Sequence, residues 1–104
     1  MVTPRHITAW AMALGEVVKQ PHFEKMSFRS KKRIFATLDE KKQILVVKLG
    51  EIDQSVFCQY DDQIIKPVDG AWGKQGWTML NLKKVRKTIC RDALTTAYET
   101  VSKK

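Results

Sequence analysis

The sequence predicts a single α+β domain: an antiparallel sheet with a helix at each end of the chain, in the order α-β-β-β-α-β-β-α, both terminal helices packed on one sheet face. Three observations predict it. Apolar residues repeat at helical spacing near both termini, the middle of the chain changes to short β-rich segments, and those segments are joined by polar turns. Helices flanking an antiparallel sheet define the class.

The elements follow in order. Thr3-Pro4 reads as an N-cap with proline at the first helical position. Ile7, Trp10, Ala11 and Leu14 then share one helical face and Gly15 ends it, giving a helix over 4–14. Met26 and Phe28 alternate with Ser27 and Arg29 as a half-buried strand does, and Ser30-Lys31-Lys32 is a polar turn. Residues 33–38 are β-rich, 39–42 form a second polar turn, and 43–49 make the third strand of a meander. Ile52, Val56, Phe57 and Tyr60 suggest a short helix over 51–59. A strand over 63–66 ends at Pro67, residues 68–76 are loop, and 77–80 form the last strand. Asn81 is a good N-cap for a final helix over 82–101, whose stripe is Leu82, Val85, Ile89, Ala93, Ala97 and Val101. Ile7, Trp10, Leu14, Phe28, Phe35, Val46, Val85 and Ile89 are the expected core.

Length and composition narrow the function. With 104 residues, 43% hydrophobic and 29% charged, the chain suits one domain, residues 1–104, that buries a core without staples. Cys58 and Cys90 belong to no Cys/His cluster, so free buried thiols in a reducing compartment are expected, with no metal and no cofactor. The apolar run at 9–14 is too short for a secretory core, and nothing approaches a membrane span of about 20 apolar residues. The expected location is cytoplasmic, with no membrane partner, and the expected state monomeric. Nineteen Lys and Arg against eleven Asp and Glu give +8, which makes polyanions plausible partners.

Catalytic patterns are missing. His6 and His22 have no ligand or triad partner at useful spacing, and no Gly-x-Ser-x-Gly, phosphate-loop or His-Glu-x-x-His run occurs. Asp39-Glu40 and Asp61-Asp62 are adjacent pairs in turns rather than a spaced acid and base. A non-enzyme is expected.

Three features point to binding. Arg29, Lys31, Lys32 and Arg33 straddle one hairpin turn, and Lys41 and Lys42 occupy the next; two cationic tips suit the gripping of a duplex backbone, or are merely solvated. Trp72-Gly73-Lys74-Gln75-Gly76-Trp77 is either a tight turn anchored by its rings or an exposed stacking platform with Lys74 as its charge. Its Gly-Lys-Gln-Gly core resembles the clamp loop of KH domains, but that clamp joins two helices and this one leads into a strand. Lys83, Lys84, Arg86, Lys87 and Arg91 crowd the start of the last helix, where cations oppose the dipole.

Pro21-His22-Phe23-Glu24-Lys25-Met26-Ser27-Phe28-Arg29, then Ile34-Phe35-Ala36-Thr37-Leu38, then Trp72-Gly73-Lys74-Gln75-Gly76-Trp77 closely resemble the ordered runs of the MmcQ/YjbR family of small bacterial proteins. The resemblance covers nearly the whole chain. It departs at Glu24, where glycine is common, and at Met26, where proline is common. It implies a CyaY-like fold and DNA binding through a double-wing arrangement. The leading expectation is therefore a protein that contacts phosphates of duplex DNA through Arg29, Lys31, Lys32, Arg33, Lys41, Lys42, Trp72 and Lys74. The alternative is a non-catalytic small-molecule or protein-partner module with a pocket near His22, Phe23 and the tryptophan loop. Iron binding of the frataxin kind, suggested by fold analogy alone, is disfavoured because the first helix bears Arg5 and His6 rather than a row of carboxylates.

Overall fold

A computed structural model describes residues 2–22 and 24–102, the His22 side chain excepted. Phe23 and the His22 ring, both in the Pro-His-Phe run, lie outside the described residues. The elements are α1 (Pro4–Met12), β1 (Val17–His22), β2 (Lys25–Ser30), β3 (Arg33–Asp39), β4 (Ile44–Lys48), α2 (Glu51–Cys58), β5 (Ile65–Pro67), α3 (Ala71–Lys74), β6 (Trp77–Asn81) and α4 (Lys87–Ser102). The six strands form one antiparallel sheet in the order β1-β2-β3-β4-β6-β5. The α+β class with helices at both termini stands as the periodicity predicts.

The start of α1 shows why. Thr3 Oγ1 accepts from the His6 N–H at 3.2 Å, and His6 Nδ1 accepts from the Thr3 N–H at 3.1 Å. This is a capping box with histidine where glutamate is usual, and it satisfies two orphan donors at once. The His6 ring also stacks on Trp10, 5.5 Å away. His6 is thus explained by helix initiation.

Strand alternation divides the sheet into two unlike faces. On one, Phe28, Ala36, Leu38, Leu45, Val47 and Leu80 are buried beneath α1 and α4, with Ile7, Ala11, Cys90, Ala93, Leu94 and Ala97 packed from the helices. A bulge between Phe28 and Arg29 in the β2–β3 register lets Phe35 join Ala36 in the core, where its ring meets Tyr98 edge-on at 5.6 Å. α2 lies towards this same face, since Gln54 Nε2 donates to the buried Thr78 Oγ1 at 3.0 Å. The opposite face carries Ser27, Arg29, Ile34, Thr37, Ile44, Val46, Lys48, Trp77 and Met79 in register; α1, α2 and α4 lie on the other side, and α3 meets this face only through Trp72 at its end.

Several expectations need correction. Val46 belongs to the helix-free face, and its neighbours Leu45 and Val47 point inward. A continuous Ile-Leu-Val-Val run offers no alternation from which to choose. Trp10, Leu14 and Ile89 are half-buried at the core's margin. β1 stands where no strand is expected: it is an edge strand, so Pro21 removes no needed hydrogen bond, and Val17 is its buried residue. The short strand before Pro67 begins at Ile65 and includes the proline, again at an edge.

The last helix begins at Lys87 rather than at residue 82. Leu82 donates its N–H to the Gln43 carbonyl at 2.9 Å and accepts from the Val2 N–H at 3.1 Å, so both its backbone groups are committed elsewhere. Asn81 Oδ1 instead accepts from the Lys83 N–H at 3.0 Å and closes a turn. Lys83, Lys84 and Arg86 precede the helix, and Lys87 opens it. The buried stripe of α4 becomes Cys90, Ala93, Leu94, Ala97 and Val101.

Candidate nucleic-acid interface

Between β2 and β3, Lys31 and Lys32 both adopt positive φ, 52° and 69°. A two-residue hairpin loop of that form is type I′, which favours Asn-Gly. Here two lysines occupy it. Lys31 Nζ donates to the Ser102 carbonyl at 2.7 Å, and Ser30 Oγ lies 3.0 Å from Ser102 Oγ. Lys31 is therefore tied to the C-terminal end of α4, where a cation complements the helix dipole. Lys32 and Arg33 are exposed and form no ion pair among the described residues.

The tryptophan segment is built by its glycines. A single helical turn, α3, stands where the sequence predicts loop, entered through Gly70 at φ 77°. A side chain at Gly73 would overlap the Val68 carbonyl, and one at Gly76, held at φ 106°, would overlap the Leu49 carbonyl. Gln54 Nε2 donates to the Gly73 carbonyl at 2.9 Å and fixes the turn to α2. Trp72 is 62% exposed and meets Trp77 edge-to-face at 6.5 Å. Lys48 Nζ lies 5.8 Å from the Trp77 ring centroid and donates to the Gln75 carbonyl. The two rings differ: Trp77 is half-buried, as an anchor is expected to be, and Trp72 is exposed.

Register fixes which parts meet. Lys48 pairs with Trp77, and Ser30 with Arg33, so the β2–β3 turn and the tryptophan segment lie at the same end of the sheet. That end gathers Lys31, Lys32, Arg33, Lys48 and Lys74, with Glu16, Glu51, Asp53 and Asp69 as acids near it. Lys41 and Lys42 lie at the other end. Successive hairpins of a meander turn at opposite ends of the strand they share, and the seven residues of β3 span about 20 Å. The two cationic tips therefore cannot close on one duplex as adjacent wings. The β3–β4 turn is locally neutral, with Asp39 and Glu40 beside its lysines, and Asp39 Oδ1 accepts from the Lys42 N–H at 3.0 Å.

The alternative pocket does not assemble. The His22 backbone lies on edge strand β1 at the end that holds Lys25, whereas the tryptophan segment flanks the opposite edge at the other end. A depression of about 380 Å³ between Tyr60, Ile64, Lys84, Arg86 and Ile89 involves neither. Among the family-motif residues, Ser27 is fully buried and donates to the Gln20 carbonyl at 2.9 Å, and Phe28 is core. Arg29 belongs to the helix-free face, with its Nε buried and unpartnered. Sequence reasoning did not find the contacts of Gln54 and Lys48 with the tryptophan segment; these rest on register and loop packing, which leave no local pattern.

The thiols are free; burial pushes Cys58 up and Cys90 up to about 12, so both remain protonated and poorly nucleophilic near neutrality. Among the described residues no three His, Cys, Asp or Glu side chains are grouped to hold a metal, and no helix is long and apolar enough to cross a membrane.

No family model matches the sequence, and no curated protein matches it. Among solved structures, the crystal structure of Deinococcus radiodurans protein DR2400, described as a DUF419 domain, is similar at TM-score 0.87 and 22% identity, over 100% of this chain and 81% of that one. The likeness shows the fold: a six-stranded antiparallel sheet with helices at both termini, as in the neighbour with its DUF419 domain.

Proposed function

We propose that this chain is a non-catalytic nucleic-acid-binding protein of the MmcQ/YjbR kind, which holds phosphates at the end of its sheet that carries Lys32, Arg33 and Lys74. The motif runs support the family, as does the fold shared with a DUF419 domain, a grouping related to it. The observation that carries the function is the type I′ turn. Lysines in left-handed conformation cost on the order of 1–3 kcal/mol each, and Asn-Gly would relieve that strain. Departures from local rules concentrate at functional sites. Lys31 is accounted for by Ser102, whereas Lys32 faces solvent beside Arg33.

The exposed Trp72 ring and Lys74 lie at the same end, some three strand spacings away, or about 14 Å. Phosphate contacts at both points would fix a polyanion across the end of the sheet. The test is binding of mixed-sequence DNA by the wild-type protein as salt is raised. The affinity expected near physiological salt is a Kd on the order of 10⁻⁴–10⁻⁶ M, falling linearly in log–log form with salt. No binding at low salt would end the proposal.

A further inference from the structure

The helix-free face of the sheet carries chemistry that the cationic end does not use. Half-buried Ile34, Ile44, Val46, Met79 and Trp77 form its apolar middle. Lys25, Lys42 and Lys66 are exposed at its margins, Arg29 lies among the apolar side chains, and Lys48 covers Trp77. Asp39 is the acid within it, and its Oδ1 already accepts from the Lys42 N–H. A shallow trough of about 210 Å³ between Lys25, Thr37 and Val46 continues into one of about 240 Å³ beside Lys66 and Lys83, with Lys42, Ile44 and Met79 shared by both.

Resting on the nucleic-acid reading above, we infer that this face binds single-stranded nucleic acid, the strand running from the Trp72–Trp77 end across Val46 and Met79 towards Lys42 and Lys66. A duplex presents phosphates and groove edges, from which an apolar row gains nothing. A single strand presents base faces, which pack on aromatic and apolar side chains while cations follow the backbone. The charge is complementary: Lys25, Arg29, Lys42 and Lys66 surround the apolar middle and outnumber Asp39 on this face. Trp72 supplies an exposed ring where the strand enters, and β4, with five residues, gives a path of about 13 Å.

Fluorescence anisotropy with a labelled mixed-sequence single strand, the matching blunt duplex and inorganic polyphosphate separates base contact from phosphate contact. The single strand should bind more tightly than duplex or polyphosphate. Trp72→Ala should weaken the single strand by about 5- to 150-fold, the range for loss of one stacked base, and leave polyphosphate within twofold. Lys42→Gln/Lys66→Gln should flatten the single-strand salt slope by about 1.4, two contacts at about 0.7 each, and leave duplex binding unchanged. Photocrosslinking of a bromouracil strand to wild-type protein should label peptides of β4 and β6, which keeps the assignment testable if a variant misfolds. Single strands that bind no tighter than duplex, with the double variant silent on both, overturn this assignment and leave the phosphate-binding end in place. Crosslinks confined to α1 and α4, or a face that takes an acidic protein segment in preference to any strand, also overturn it. No binding of any probe would remove both readings together.

Discussion

The two ends of the sheet are built from similar parts and differ in what surrounds them. Each has a hairpin turn with two adjacent lysines, and each holds a non-glycine residue at positive φ. At the β3–β4 turn the lysines stand beside Asp39 and Glu40, and Asp39 spends its carboxylate on the local backbone. At the β2–β3 turn no acid occurs from Lys25 to Leu38, and the lysines are followed by Arg33. The tryptophan segment joins this second end and not the first. A count of cations in sequence treats the turns alike; a charged turn becomes a candidate grip only when its neighbours leave the charge uncompensated.

The largest effect expected is structural. Gly76→Ala should cost about 2–4 kcal/mol in urea unfolding, because the new methyl meets the Leu49 carbonyl and φ is 106°. A cost near zero would mean that the tryptophan segment is not held as described. Next comes the contrast between sheet faces. Leu94→Ala, beneath the sheet, should cost about 2–5 kcal/mol, and Val46→Ala, on the helix-free face, less than half as much. Equal losses would mean that the helix-free face is covered.

Smaller effects sharpen the comparison of the ends. Lys32→Gly and Gln43→Gly both place glycine at positive φ and should each stabilise by about 0.5–1 kcal/mol, the relief of left-handed strain less the added unfolded-state entropy. Lys32→Gly alone should also flatten the duplex salt slope, by about one unit. The smallest effect concerns the thiols. Melting should not depend on reductant, and iodoacetamide at neutral pH should spare Cys90 until the protein unfolds, because burial holds that thiol protonated. The raised value makes ionisation of Cys90 unfavourable to the fold, so its contribution to stability is complete below pH 9 and declines as pH rises through about 12.

Much of the fold was legible because its signals are local. The Thr3-Pro4 cap, the stripe from Ile7 to Leu14 and the alternation around Phe28 each follow from a few adjacent residues. What escaped depends on partners distant in the chain. β1 has one buried side chain among its described ones, Val17, and a proline, and exists as a strand because β2 offers it an edge. The start of α4 was misplaced because Leu82 pairs with Gln43 and Val2. The face of β4 could not be chosen from Ile44-Leu45-Val46-Val47, in which every residue is apolar. At the candidate site, Lys32, Arg33, Trp72 and Lys74 were visible as residues. Their meeting at one end, with Lys41 and Lys42 excluded, was readable only from strand order, although the meander itself already required the two tips to point apart.

The central claim is that one end of the sheet, and not the other, holds the phosphates of duplex DNA. It is tested most directly by the duplex salt dependence of two variants measured beside the wild type, with melting temperatures confirming that both are folded. Lys32→Gln/Arg33→Gln/Lys74→Gln should flatten the log–log slope by about two to three units, roughly one per lost contact, and Lys41→Gln/Lys42→Gln by less than about half a unit. Equal flattening by the two variants, or a larger effect from the Lys41 and Lys42 pair, would contradict the account.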